Sequence, residues 1–384
     1  MTNIKSDVFD LMVDHIRNGT TDLADADLRI PSRHFSSEEH AAAERDLLRR
    51  LPLIAAHHAE LPDPGSFITR DVMGVALLIV RQPDGTVAAF RNMCRHRGGK
   101  VEMAPSGNKP FFVCGYHGWS YNRAGALRGI PFEDSFDPID RGCHSLIPVG
   151  CAERHGLIWV DLSVREPALN LSAFMSEEAD REFATFQIDK TVIAIEHDYT
   201  LDVNWKLVMD GAYDVLHPQF LHPTGVGKLV HSNVGIWKDY GRHGQLFTAR
   251  RRLAEVVKKG ENPEAAWRYF ATVFVLYPNS LCIAAPDHYE FWTVWPDEQS
   301  ASRCHVRIRF LIDPAKLTDE MQARLERSLA ILEEAAMNED WPMEETIQAN
   351  ARTSPDVEFI YGRSEISCQH LHRQLGRDLA AASQ

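Results

Sequence analysis

The sequence has no apolar run long enough to span a bilayer. Its longest, Val72 to Val80, is broken by Gly74, whereas a spanning helix needs about 20 apolar residues. It also lacks a basic start followed by an apolar core. The opening stretch MTNIKSDVFDLMVDHI mixes polar and apolar residues, so no secretory signal is expected and the location expected is cytoplasmic. Positive charge is in deficit: 41 Lys and Arg stand against 54 Asp and Glu, a net charge of -13. That balance repels nucleic acid and anionic membranes, so neither is expected as a partner. Cysteine is sparse, with seven scattered residues, an odd number. Such usage suits thiols and metal ligands better than a disulfide framework. There is no internal repeat and no low-complexity linker.

What remains is a chain of ordinary globular composition, 44% hydrophobic and 25% charged, long enough for two or three units with their own cores. Residues 38 to 50 read as a helix with Ser36 or Ser37 as its N-cap. Between 62 and 162 short strand-like runs alternate with turns: 67 to 69, 75 to 81, a turn at Pro83-Asp-Gly85, then 87 to 91, 111 to 113, 120 to 121, 122 to 125 and 157 to 160. This stretch reads as a small all-β domain. From about 166 the texture is mixed. A helix is expected over 204 to 216, strands near 271 to 276, 289 to 295 and 304 to 312, and a long helix from about 315 into the 330s. In that helix Met321, Leu325, Leu329, Leu332 and Ala336 repeat every three to four residues, as a buried stripe does. Strands followed by a long amphipathic helix predict an α+β catalytic domain.

Two residue constellations carry chemistry. In the β domain, Cys94-Arg-His96-Arg-Gly98 and Cys114-Gly-Tyr-His117-Gly-Trp119 place a C-x-H and a C-x-x-H in turns between strand-like segments. One Cys and one His from each of two facing loops make a mixed ligand set. Two thiolates on one iron and two imidazoles on the other is the Rieske arrangement of a [2Fe-2S] cluster. A structural Cys₂His₂ zinc site is the competing reading, although zinc fingers usually pair C-x₂₋₄-C with H-x₃₋₅-H.

The second constellation lies in 204 to 223. His217 and His222 are metal candidates, but on an unbroken helix they would point about 140° apart. Pro218 is expected to push His217 out of helical geometry and let His222 swing back. Asp214, three residues before His217, shares its helical face. Two imidazoles and a carboxylate with open positions suit non-heme Fe(II) and oxygen chemistry. Extending the stripe by four residues reaches Asp340, with the stripe resuming at Met343 and Ile347. A carboxylate on an apolar face needs a partner or a metal. Glu339 and Glu344 are rival ligands, and Asp340 as the cap of a new helix is the structural alternative.

NMCRHRG and CGYHGWSYNRAG resemble the Rieske motif of ring-hydroxylating oxygenase large subunits. The stretch NWK to His222 and the segment NEDWPMEETIQ resemble the same family's iron-ligand segments. The resemblance covers about residues 40 to 365. It implies an N-terminal helical segment (1 to 45), a Rieske β domain (46 to 165) and a helix-grip, START-like catalytic domain (166 to 384) with an antiparallel sheet and a long helix. It implies one [2Fe-2S] cluster on Cys94, His96, Cys114 and His117 and one Fe(2+) on His217, His222 and Asp340, with Trp119 and Tyr116 shielding the cluster. It also implies that Asp214 is no ligand but bridges the iron site to His117 of the partner subunit, within a homotrimer. Electrons would come from a flavin-dependent NAD(P)H reductase, in some relatives with a ferredoxin. A small β subunit stays open. The implied activity is hydroxylation of an aromatic or aromatic-acid substrate with O2, once or twice. The alternatives are demethylation of a quaternary amine and, from another class, a non-catalytic electron-transfer protein. One departure stands out: Asp210 occupies a position where many relatives carry Asn. It either carries extra charge near the metal, receives a polar or cationic substrate group, or is a solvated helix residue.

Overall fold

The computed structural model describes residues 4–259 and 269–382, and Met1–Asn3 of the opening stretch lie outside these. The chain divides into two compact units, one of Asp46–Phe174 with Gln187–Thr191, the other of Met1–Arg45, Met175–Phe186 and Val192–Gln384. Among the described residues, no helix is long and apolar enough to cross a membrane, and none of the seven cysteines is in a disulfide.

The smaller unit is all β. Its seven-stranded antiparallel sheet runs in the order Leu53–His57, Leu157–Asp161, Pro148–Arg154, Val87–Arg91, Val75–Arg81, Ser66–Val72, Ser106–Asn108. A second sheet joins Phe111–Val113, Ser120–Asn122 and Leu127–Gly129. The apolar run from Val72 folds as a hairpin: Val72 pairs with Val75 across Met73 and Gly74, both at positive φ, as a tight two-residue turn requires. The sheet begins earlier than the expected residue 62, because Leu53–His57 pairs with Leu157–Asp161. The segment 122 to 125 is a turn, closed by the Gly125 amide donating to the Asn122 carbonyl. The core holds Phe67, Leu78, Phe112, Trp119 and Tyr121, and Cys94 and Cys114 belong to it. Both cysteine loops are therefore rooted in packed side chains rather than on open surface.

The larger unit is α+β. Its seven-stranded antiparallel sheet is ordered Val192–Leu201, Cys304–Ile312, Tyr289–Pro296, Ser280–Ala284, Phe270–Leu276, His243–Arg250, Val230–Tyr240. Side chains alternate between faces along each strand. One face offers Ile236, Phe247 and Phe270 to Phe9, Met12 and Val13 of the helix Ile4–Asn18, and Phe274 to Phe183 of the helix Glu177–Ala184. The other face carries Trp237, whose ring meets His370 of the helix Ile366–Ala382. It also carries Tyr199, which meets Trp341. The helix Trp205–Tyr213 packs on the strand Tyr289–Pro296.

Several local expectations change. The helix Glu38–Leu48 is capped by Ser37, whose hydroxyl accepts from the His40 amide. The helix expected over 204 to 216 stops at Tyr213. The long helix is Asp319–Ala335, and a π-helical turn, Ala336–Asp340, joins it to the helix Trp341–Thr353. A π turn inserts an extra residue and shifts the helical phase. The stripe therefore does not resume at Met343, which is 47% exposed; the buried positions beyond are Trp341, Glu344, Gln348 and Ala351.

Candidate metal centres

The two cysteine loops are built alike. In each, the glycine four residues after the cysteine donates its amide to the cysteine carbonyl, Gly98 to Cys94 and Gly118 to Cys114. Both glycines sit at positive φ, +80° and +74°, where a side chain would strain the backbone. This tight reversal turns the following histidine toward the opposite loop. The rings of His96 and His117 lie 4.6 Å apart, nearly perpendicular. The indole of Trp119 stacks on His96 at 5.2 Å and 9°, and Phe136 closes the edge.

The donor set fits a metal cluster. Nδ1 of His96 is buried with no hydrogen-bond partner, an arrangement that costs free energy unless a ligand or metal takes the lone pair. Burial pushes the Cys94 thiol up, with the Tyr121 hydroxyl partly offsetting it, so a thiolate there needs a cation beside it. Tyr121 accepts from the Arg95 amide at 2.9 Å and lies 3.5 Å from Cys94 Sγ. On the outer side Nη2 of Arg97 donates to Nε2 of His117 at 2.6 Å and the guanidinium covers Tyr116. Tyr116 is 67% exposed, so its ring lies on the surface beside His117 and not in the core.

The second site forms where the helix Trp205–Tyr213 ends. Asp214 leaves helical geometry, and its carboxylate accepts from the amides of Leu216 and His217. A short acidic side chain that bonds the backbone just ahead of it competes with helix continuation. Asp214 and His217 are therefore joined through a capped turn, not through one helical face. Pro218 also acts differently from expectation. His217 keeps αR geometry as the N-cap of the short helix Pro218–Leu221, with proline at the position where its missing N–H costs nothing. Gly227 clamps this turn: a Cβ there would lie 2.0 Å from the Pro218 carbonyl oxygen.

Three groups converge. His217, His222 and Asp340 each offer one atom, and these atoms lie within 4.8 Å of one another. Nε2 of His222 is 3.0 Å and Nε2 of His217 3.6 Å from Asp340 Oδ1. The far nitrogen of each ring is held by a different carboxylate: His217 Nδ1 by Asp214 at 3.0 Å, His222 Nδ1 by Glu339 at 2.5 Å. Metal-binding histidines are oriented in this way, with Nδ1–H on a carboxylate and Nε2 free for the metal. Burial pushes the Asp214 carboxyl up, but the His217 and Leu216 hydrogen bonds outweigh it and hold it below the usual range. Of the rival acids, Glu339 occupies the wrong nitrogen of His222. Glu344 is not among the groups whose ligand atoms converge with the histidines; burial, then Asp340 and Asp210, push its carboxyl up to about 8. The π turn aims Asp340 at the histidines, a use to which such turns are often put.

Asp210 is buried, not solvated. Tyr361 donates to it at 2.6 Å and Nε2 of His372 lies 2.9 Å away, so its carboxylate is already engaged within the fold. A cleft of about 580 Å³ runs beside the triad, lined by Asp210, Asp214, His217, Asp340 and Glu344 among apolar side chains. Sequence reasoning missed Tyr121, Tyr361 and His372, none of which stands in a spacing that marks it.

Residues 188–381 match the family described as ring hydroxylating alpha subunit (catalytic domain), and residues 52–146 match the Rieske [2Fe-2S] domain. The first match covers half of the chain. The chain belongs to the ring-hydroxylating alpha subunit family. Its Rieske domain implies a [2Fe-2S] cluster and its catalytic domain a mononuclear iron. The chain is 28% identical to the glycine betaine monooxygenase oxygenase subunit of Chromohalobacter salexigens over 56% of its own length and 48% of the relative's. It is 31% identical to the chlorobenzene dioxygenase subunit alpha of a Cupriavidus species, over 43% and 37%. It thus spans less than half the length of these curated relatives. In fold it resembles a quaternary ammonium Rieske monooxygenase with L-carnitine bound (TM-score 0.75, 19% identity, 93% and 96% of the two chains). It equally resembles a naphthalene 1,2-dioxygenase from a Rhodococcus species bound to indole (TM-score 0.75, 18% identity, all of both chains).

Proposed function

We propose that this alpha-subunit relative is the oxygenase component of a multicomponent Rieske system, hydroxylating an aromatic or aromatic-acid substrate with O2 and NAD(P)H-derived electrons. The observation that carries the reading is the convergence of His217, His222 and Asp340 in the same chain as the paired Cys94–Gly98 and Cys114–Gly118 loops. An electron-transfer protein needs the loops but not the triad. Cys94, Cys114, His96 and His117 would hold the cluster, and the triad would hold iron. Bound there, the cluster would supply single electrons and the iron would activate oxygen.

The chain's own residues set the conditions for that chemistry. Asp214 and Glu339 fix the tautomers of His217 and His222, so that Nε2 of each stays unprotonated. Trp119 keeps water from His96. The cleft beside the triad has Asp214 in its wall, and Met343 and Ile360 of its lining are exposed apolar side chains. Such side chains suit a protein surface and support a homotrimer in which Asp214 meets His117 of the partner subunit. The exposed Tyr116 beside His117 suits the same contact and the docking of a flavin reductase or ferredoxin. We place the functional boundaries near residues 45 and 165, and the free thiols favour a cytoplasmic protein.

Demethylation of a quaternary amine is the second reading, favoured by the likeness to a glycine betaine monooxygenase. The test is turnover with a surrogate reductase, NADH and a substrate panel, followed by product mass. A gain of two hydroxyls, of one, or the loss of a methyl group distinguishes the reactions. Substrate-independent O2 uptake with no mononuclear iron would leave only electron transfer.

A further inference from the structure

We propose that the helix-covered face of the large sheet carries a carboxylate-recognition site for the substrate, built from Arg250 with Glu290, His288 and Trp292, so that the substrate is an organic acid and not a hydrocarbon. The proposal rests on the oxygenase reading only in calling the ligand a substrate.

The register places these residues together. Glu290 pairs with Ile283, Ile283 with Val273, Val273 with Leu246, and Leu246 with Trp237. Residues directly opposite share a face, and Trp237 meets His370 of the covering helix. Glu290 therefore points to the helix side, as do Trp292 two residues on and Arg250 four residues beyond Leu246. Glu290 also pairs with Phe310, whose ring lies 4.6 Å from that of His288. The helix Trp205–Tyr213, which leads into Asp214 and His217, packs on the strand that bears Glu290.

What marks the group as a site is its unmet hydrogen bonding. Nε of Arg250 and Nε2 of His288 are buried without a hydrogen-bond partner, and the Trp292 indole faces Glu290. Nδ1 of His288 bonds Asp287 at 2.7 Å, while its Nε2 stops 3.9 Å from Glu290 Oε1, outside hydrogen-bond range. The Glu290 side chain keeps 18% of its surface accessible although it faces the covered side. Burial pushes its carboxyl up to about 7, partly offset by the Trp292 indole and the Arg250 charge. Native folds rarely leave a buried donor such as Arg250 Nε unmet, and His288, with Nδ1–H on Asp287, offers Nε2 as an acceptor to a proton on Glu290 or on the ligand. The unpartnered Nε–H of the half-buried Arg250 guanidinium is matched by a carboxylate, which accepts from it. Glu290, holding a proton near neutrality, can donate to the same anion or accept from a neighbouring hydroxyl. A hydrocarbon would leave Arg250 Nε unpaired.

The test uses matched probes on the purified holoprotein by calorimetry: benzoate against toluene, and glycine betaine against tetramethylammonium. One acid should bind at least tenfold more tightly than its partner lacking the carboxylate. Arg250→Met should erase that preference and Arg250→Lys should keep part of it, both with wild-type iron content and circular dichroism. Acid binding should take up a proton near pH 7.5, and Glu290→Gln should bind without that uptake. Equal affinity for the matched partners, no binding of either acid, or an Arg250→Met protein that keeps the preference overturns the site. The oxygenase reading is judged separately, by O2 uptake with reductase and NADH. Its failure beside Arg250-dependent binding would sink that reading and leave this one standing.

Discussion

Oδ2 of Asp214 lies 3.0 Å from Nδ1 of His217, and the same carboxylate caps the turn that delivers the histidine. One side chain therefore sets both the backbone and the tautomer of a ring in the proposed metal site. Asp214→Asn keeps the size and one acceptor but loses the charge. The expected result is an unchanged cluster spectrum and about 10–100-fold weaker iron binding or slower turnover. If Asp214 also joins the site to a neighbouring cluster, reoxidation of the reduced cluster by substrate and O2 slows by more than tenfold in stopped-flow absorbance. A wild-type reoxidation rate removes the bridge and leaves a positioning role.

The roles of Asp340 and Glu339 separate by metal content. Asp340 faces Nε2 of both histidines, whereas Glu339 holds the opposite nitrogen of His222. Asp340→Ala should bring mononuclear iron close to zero by elemental analysis while the cluster's two irons remain. Glu339→Ala should retain iron at saturating Fe(II) but with affinity lowered by about 10–100-fold. The reverse order of severity would make Glu339 the ligand.

How much of this the sequence disclosed depends on how local each device is. Cys94 to Gly98, Cys114 to Gly118 and His217 to His222 are short segments, so spacing alone proposes that each pair acts together. Asp340 lies more than a hundred residues downstream and could be approached only by extending a helical stripe. The stripe reached it, yet the π turn at Ala336–Asp340 changed the phase beyond it, and no residue pattern announces a π turn. Asp214 and Pro218 were placed in the right neighbourhood with the wrong backbone, because side-chain capping overrides helical periodicity. The helix Ile366–Ala382 escaped notice, since its polar-rich run shows its packed face only against the sheet. The group around Glu290 was invisible, because it is assembled by strand register across residues that read as ordinary strand positions.

Tyr121 gives a prediction about the cluster. Its hydroxyl is pinned by the Arg95 amide and points at Cys94 Sγ. A hydrogen bond to a ligand sulfur favours the more electron-rich, reduced state, and such bonds are among the determinants of cluster potential. Tyr121→Phe should keep the red-brown colour and lower the midpoint potential in a spectroelectrochemical titration. A potential that stays put or rises means that the hydroxyl serves only the loop backbone.

The last prediction concerns a pair that neither metal centre needs. Lys206 Nζ lies 2.7 and 2.8 Å from the two oxygens of Glu44, and the Trp205 indole donates to the same carboxylate at 3.0 Å. Both charges are buried. Burial pushes the Glu44 carboxyl up, but Lys206 and His40 overcome it and hold it at about 2. A carboxyl held below its ordinary 4.5 adds stability above that pH, and the contribution drains away as pH falls toward 2. Lys206→Met strands the carboxylate and should cost about 3–5 kcal/mol at pH 7. Without Lys206 the carboxyl protonates more readily, so the penalty should shrink between pH 7 and pH 4. The double variant Glu44→Leu with Lys206→Met should recover most of it, since an apolar pair of similar volume replaces the ions. Urea unfolding followed by circular dichroism at the two pH values reads all three. A penalty as large at pH 4 as at pH 7 would mean that Lys206 acts through packing and not through its charge.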